Sequence, residues 1–253
     1  MERVKIFIGY DPREAIAFHT LVQSIMNKAT IPFEIIPLDI RNLPMYTRPL
    51  DLKQSNEFSF TRFLVPYLSE YKGISIYFDC DMMLRTDIAE VLQEVNDKPV
   101  YLVKHDYTPK DKYKYLGAKQ YNYPRKNWSS FVVWNCGHDS NKIVTDNFVN
   151  TASAAELHQF KFLKDNEIGE LDVRWNWLVG EYDSPPNDVK NVHWTIGGPY
   201  INGFENVDFS TEWVQLKNGM INEFTKNKKP KKPTNKQFKN PSNKKASAIQ
   251  TEC

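Results

Sequence analysis

The chain has 253 residues, a formal net charge of +2, 41% hydrophobic residues and three cysteines, enough length for one full α/β core. These figures exclude a fibrous chain and a disulfide-built scaffold, and no apolar run approaches the roughly 20 residues that cross a bilayer as a helix. Cys80, Cys136 and Cys253 are widely spaced and form no CxxC pair, so reduced thiols, buried or terminal, are expected.

In chain order, Met-Glu-Arg leads directly into a strand-like run, Val4 to Gly9, without the layout of a signal peptide, and a cytoplasmic protein is the expectation. A helix is predicted over Pro12 to Met26, with Ile16, Leu21, Val22 and Ile25 near its apolar face, and a second strand over Phe33 to Pro37. Ser59 to Tyr67 carries a helical pattern despite Pro66; Gly73 then breaks the chain, and Ile74 to Phe78 reads as a central strand. Further strands are predicted at Val100 to Val103 and Phe131 to Trp134. Between them the polar stretch Lys104 to Asn127, rich in tyrosine and lysine, is too long for a mere connection and is a candidate site loop. Strands alternating with helical patterns predict an α/β protein with a mostly parallel sheet flanked by helices, in a single domain over residues 1–225. Residues 226–253 hold nine lysines against Glu252 alone, which leaves 24 basic and 30 acidic side chains in residues 1–225. With three prolines and a single aromatic residue, Phe238, this Lys-rich tail is expected to be disordered. Peripheral contact of the tail with an anionic membrane is one expectation, a merely solubilising tail the other; no nucleic-acid partner is expected.

The chemistry is most legible at the end of the central strand, where Tyr77-Phe78 is followed by Asp79-Cys80-Asp81. Two carboxylates at the carboxyl end of a sheet strand sit where open α/β sheets bind ligands, and can hold a divalent cation against phosphate oxygens. With 16 aspartates in the chain, chance alone gives about one such spacing, so the preceding strand and a matching third ligand carry the signal. His193 is the candidate third ligand. A neutral imidazole beside two carboxylates favours manganese over calcium, and Gly197-Gly198 lets backbone amides approach an anionic diphosphate.

Together these features resemble the GT-A fold glycosyltransferases, and within them the retaining enzymes of glycosyltransferase family eight and their bacterial and phage relatives. The resemblance runs through most of residues 4–204. Ile6 to Asp11 is similar to the first strand and the nucleotide-binding turn after it, implying donor contacts from Gly9, Tyr10 and Asp11. Phe60-Thr61-Arg62-Phe63 resembles the helix before the metal motif, so Arg62 is expected at the donor's diphosphate or sugar. Tyr77 to Asp81 matches the Asp-x-Asp strand, implying that Asp81 ligates a manganese or magnesium ion directly and that Asp79 is shared between metal and sugar. Ser129 and Ser130 open a strand that resembles the wall of the donor-sugar pocket, and His193-Trp194 with Gly197, Pro199 and Tyr200 resembles the closing segment that supplies the third metal ligand.

The chain also departs from that pattern. The family's lysine before the proline is Gly198 here, the segment is one residue shorter, and Arg125 or Lys126 is the expected compensation. No Asp-Gln-Asp is present; its nearest counterpart by order is Leu157-His158-Gln159-Phe160, which makes Gln159 the catalytic candidate, unless a helix-borne His-Gln pair simply faces solvent. Asn176 is expected to be structural, with Trp175 or Trp177 lining a sugar site. The resemblance implies a hexosyltransferase that moves a sugar from a nucleotide sugar, a UDP sugar by analogy, to a glycan, lipid-linked or protein acceptor, with retention. Its natural setting would be bacterial or viral polysaccharide synthesis. Inversion would instead need a base, for which Asp172, Glu181, His105 and Asp106 are the candidates. The competing readings are a non-catalytic nucleotide-sugar or carbohydrate-binding module and a phosphatase of the haloacid dehalogenase type.

Overall fold

The computed structural model describes residues 3–50, 54–117 and 119–222, so the Lys-rich tail and Cys253 lie outside the described residues. In chain order the elements are β1 (Val4–Gly9), α1 (Ala15–Lys28), β2 (Phe33–Leu38), α2 (Val65–Leu68), β3 (Ile74–Phe78), β4 (Met82–Leu84), β5 (Val100–Leu102), β6 (Phe131–Asn135), α3 (Asp146–Thr151), α4 (Ala154–His158), β7 (Ile168–Glu170), β8 (Trp177–Leu178), β9 (Asn191–His193) and α5 (Ser210–Asn222). Six strands form a sheet in the order β2-β1-β3-β6-β5-β7. Only β6 runs antiparallel to its neighbours β3 and β5, as the pairs Ile76↔Val133 and Tyr101↔Val133 show. The architecture is therefore the expected mixed α/β one, a mostly parallel sheet flanked by helices.

The continuous apolar runs of β1 and β3 follow from burial on both faces. Ile6, Ile8, Ile76 and Phe78 turn to one side and pack with Phe18, Leu21 and Ile25 of α1. Phe7 and Tyr77 turn to the other and pack with Phe63, Leu64, Val132 and Leu157. The buried face of α1 is made by Ala17, Phe18, Thr20, Leu21, Ser24 and Ile25. Ile16, expected on that face, is instead 42% exposed. The helix expected over Ser59 to Tyr67 is a 3-10 stretch, Thr61–Leu64, running into the single turn of α2. Pro66 sits in the first turn of α2, where its missing N–H is tolerated, and Glu70, Tyr71 and Gly73 at positive φ end the segment and aim the chain into β3.

A second sheet, β4-β9-β8, adjoins the first. β4 pairs antiparallel with β9 in the register Met82↔His193, Met83↔Val192, Leu84↔Asn191. Met83, Trp177, Val192, Trp194 and Trp213 of α5 form the apolar cluster beneath it. Cys80 and Cys136 are free and buried, as expected of reduced thiols.

Candidate active site

The chain leaves β3 at Phe78 and enters β4 at Met82, so Asp79-Cys80-Asp81 is the link between the two sheets. The link is held at both ends by backbone bonds: Asp79 N–H donates to Ser130 O at 2.9 Å, and Trp194 N–H donates to Asp81 O at 3.0 Å. Side chains alternate along an extended segment, so Cys80 enters the core while Asp79 and Asp81 share the opposite side. The Met82↔His193 register then brings His193 beside them. One ligand atom from each of Asp79, Asp81 and His193 lies within 4.8 Å of the others.

The donor set fits a divalent cation. His193 Nδ1 lies 2.9 Å from Asn176 Oδ1, and Asn176 Nδ2 donates to Ser130 Oγ at 2.8 Å, which fixes the amide so that its oxygen faces the histidine. An amide oxygen only accepts, so Nδ1 carries the proton and the Nε2 lone pair faces Asp81 Oδ1, 3.4 Å away. That Asp81 oxygen is buried without a hydrogen-bond donor, an arrangement that costs free energy until a cation arrives. Burial pushes the Asp79 carboxyl up, against the opposing pull of Arg62, whose Nη2 lies 3.0 Å from Asp79 Oδ1. Tyr77 OH donates to the same oxygen at 2.6 Å.

These groups form one wall of a cavity of about 410 Å³, a size suited to a small-molecule ligand. Of the residues expected at the site, Asp79, Asp81, His193, Arg62, Ser129 and Gln159 line it. The expected loop supplies another wall through Lys114, Tyr115, Tyr121, Tyr123, Lys126 and Asn127, and Gln54, Ser55, Asn56 and Phe60 complete the rim with His158. His158 faces into the cavity, contrary to the solvent-facing alternative: Ser129 Oγ and His158 Nδ1 are 2.9 Å apart. Burial, reinforced by Arg62 and Arg48, lowers the His158 pKa to about 3 and leaves it neutral.

Five expected donor contacts lie off the cavity lining. Gly9 is packed so closely that a Cβ would fall 2.4 Å from the Phe58 ring, and Tyr10 packs edge-on against Phe18. Asp11 caps the turn before α1, its carboxylate taken by Arg13 and by Glu57 N–H. Ser130 bonds Asn127 O and Asn176 beneath the floor, and a Cβ on Gly197 would meet the Phe204 ring at 2.9 Å. Neither tryptophan expected at a sugar site lines the cavity: Trp175 stacks on Phe131 in the core, and Trp177 packs against Tyr182. The four base candidates are also elsewhere. Asp172 caps a surface turn through Arg174, Asp106 is exposed, and His105 and Glu181 are buried behind the loop, bonded to Tyr182 OH and Lys110 N–H.

The sequence reading missed Lys114, Tyr121, Tyr123 and Glu14. Glu14 is buried at the start of α1 and accepts from both Tyr115 OH and Tyr200 OH, the latter at 2.6 Å, so the loop and the segment after His193 are tied to one carboxylate. Tyr115 N–H also donates to Ile196 O at 2.8 Å. Burial, with the charge of Asp81, pushes Glu14 up to about 7.

No protein-family model matches the chain. Protein CDI of Arabidopsis thaliana is 43% identical over 218 residues, which cover 83% of this chain and 84% of that protein. The chain belongs to the family of Protein CDI. Among solved structures, the chain superposes on the glycosyltransferase GlyE of Streptococcus pneumoniae with a TM-score of 0.59 and 12% identity, over 86% of this chain and 60% of that one. For the bifunctional glycosyltransferase WbbM the values are 0.56 and 17%, over 85% and 49%. For the galactosyltransferase LgtC, solved with donor and acceptor sugar analogues, they are 0.53 and 12%, over 85% and 96%. The fold is that of the GT-A glycosyltransferases, and the chain spans about half of WbbM and three fifths of GlyE.

Proposed function

We propose that the protein is a metal-dependent glycosyltransferase of the hexosyltransferase type, taking a sugar from a UDP sugar to a hydroxyl acceptor on a glycan, lipid or protein. The observation that carries this reading is the convergence of Asp79, Asp81 and His193 in the wall of a ligand-sized cavity on a GT-A fold, with one Asp81 oxygen buried and unsatisfied. Manganese is the expected ion, magnesium the substitute.

When bound, such a cation supplies Lewis-acid stabilisation of charge on the departing diphosphate. The protein's own groups hold the geometry. Asn176 keeps the His193 Nε2 lone pair facing the site, while Arg62 and Tyr77 fix Asp79. As the bond from the anomeric carbon to the diphosphate oxygen breaks, its electron pair stays on the diphosphate. The acceptor oxygen bonds the anomeric carbon, and its proton leaves with the diphosphate. Asp79 and Asp81 are the only carboxylates among the described residues that line the cavity. That census favours retention, which needs no dedicated base. The phosphatase reading would make Asp79 the nucleophile, yet Asp79 is ion-paired with Arg62 on a GT-A fold.

The test is UDP release from a panel of UDP sugars without acceptor, in manganese, magnesium or EDTA. Manganese-dependent release from one sugar is expected and names the donor. Binding of UDP without release from any sugar would leave a binding module instead.

A further inference from the structure

A cation that grips a leaving diphosphate has to face the metal site, and the segment after His193 cannot supply it. Residues 193–204 contain no lysine or arginine, and at Gly198 even a Cβ would fall 2.4 Å from the Tyr200 ring. Arg62 is already engaged with Asp79 and with Ser129 O.

The wall supplied by the 104–127 loop carries two lysines of different standing. Lys114 lines the cavity in the fields of Asp81, Asp79 and Glu14, yet its ammonium makes no ion pair or hydrogen bond among the described residues; its nearest ring is Tyr115, 5.8 Å away. Lys126 is buried, among the described residues donates only to Tyr121 O at 3.1 Å, and lies 5.0 Å from the Tyr123 ring. Burial lowers the pKa of both, that of Lys126 to about 8, where the charge of Lys114 also presses it down. Two like charges held together in a half-desolvated cavity destabilise the fold unless an anion joins them.

Both lysines are fixed in place. Lys114 lies between the bridge Tyr113↔Lys119 and Tyr115, which is bonded to Ile196 O and Glu14. Lys126 lies between Arg125 and Asn127, both at positive φ. That strained turn is held by Arg125 on Gln159 O at 2.7 Å and by Asn127 on Tyr107 OH at 2.8 Å.

We propose that Lys114 and Lys126 form the anion clamp of this site, receiving a diphosphate in the cavity they share with Asp79, Asp81 and His193 and holding the charge it gains on leaving. The proposal rests on the glycosyl-transfer reading for the identity of that diphosphate, but its chemistry is that of any metal-bound pyrophosphate group.

The test measures binding of UDP and of inorganic pyrophosphate with manganese, and of manganese alone, to the full chain and to the Lys114→Met, Lys114→Arg, Lys126→Met and Lys112→Met variants. Lys114→Met should weaken both diphosphates by about tenfold or more, the scale of a charge-assisted hydrogen bond. Manganese alone should bind it as tightly as wild type or more tightly, because a repelling charge has gone; a general loss of structure would weaken both. Lys126→Met should weaken both diphosphates in the same direction. Lys114→Arg should recover most of the affinity, and the exposed control Lys112→Met should match wild type. Unchanged diphosphate affinity in Lys114→Met, or equal loss of manganese and diphosphate without rescue by arginine, overturns the clamp. If wild type binds pyrophosphate but turns over no UDP sugar, the glycosyl-transfer reading fails and the clamp stands. If wild type binds neither diphosphate, the clamp falls as well.

Discussion

His193 reaches the site through a backbone register and keeps its tautomer through Asn176, so the candidate metal ligands depend on two separable contacts. Asp81→Asn and His193→Ala should each abolish manganese-dependent UDP binding while the thermal midpoint stays within a few degrees, because both remove a ligand at a cavity wall. Retained UDP affinity in both variants would refute the assignment. Asn176→Ala should cost about 10- to 100-fold in manganese affinity, the usual price of losing the group that orients a ligand histidine, read by titration of the metal alone. Charge also acts on the fold at this scale. Burial lowers the pKa of His105 and His158 to about 3. Their stabilising contribution is complete above the unfolded value of about 6.5 and is lost as pH falls from there towards 3. Glu14, raised to about 7, works in the opposite sense: its contribution is complete below about 4.5 and is lost as pH rises through 7. Between pH 4.5 and 6.5 two groups oppose one, each with a limiting slope of ~1.4 kcal/mol per pH unit, so acidification should lower stability. In His158→Gln one of the two histidine contributions is gone, and the stability difference between pH 5 and 6.5 in denaturant titrations should shrink; an undiminished difference would show that His158 is not the source.

At the level of elements, the 104–127 loop behaves as part of the site because Glu14 binds it to the segment after His193. Tyr200→Phe removes one of the two bonds, and Glu14→Gln weakens both. Hydrogen exchange should quicken at residues 112–117 in Glu14→Gln, with UDP affinity falling and manganese affinity holding; unchanged exchange would mean that the bond to Ile196 O and the loop's other contacts hold it without Glu14. The same tie explains what the sequence revealed and what it concealed. β1, β2, β3 and β6 were legible because five or six consecutive strand residues write a clear apolar pattern. β5, of three residues, is legible in the apolar run Val100 to Val103, while β4, β7, β8 and β9, of two or three residues each, carry no period and are defined by pairing. Asp79 and Asp81 stood out because a central strand preceded them. Lys114 is one of six lysines between residues 104 and 127, and nothing local distinguishes it from the exposed Lys112. The bridge Tyr113↔Lys119 and the long-range contacts of Tyr115 set its place on the cavity wall. Trp175 and Trp177 illustrate the reverse case, residue types suited to a sugar face that the fold uses for packing.

Across the whole molecule, charge is divided between two parts of the chain. Residues 1–225 hold 24 basic and 30 acidic side chains, while residues 226–253 hold nine lysines and one acid. An anionic membrane therefore repels the larger part and attracts the smaller, at about 1 kcal/mol for each lysine that comes close to the surface. The acidic part competes for the same lysines, so the net attraction is the difference between the two and is screened within ~10 Å at 0.1 M salt. We propose that the tail is separable from catalysis and acts as the membrane contact. The full chain should sediment with phosphatidylserine-rich vesicles at low salt and be released as salt rises, while a chain ending at residue 225 should stay in the supernatant. Both should release UDP from the same sugar at the same rate, since the cavity is built from residues 54–195. Equal vesicle binding by the two chains would show that the tail is only solubilising, and a loss of UDP release on truncation would show that it contributes to the site.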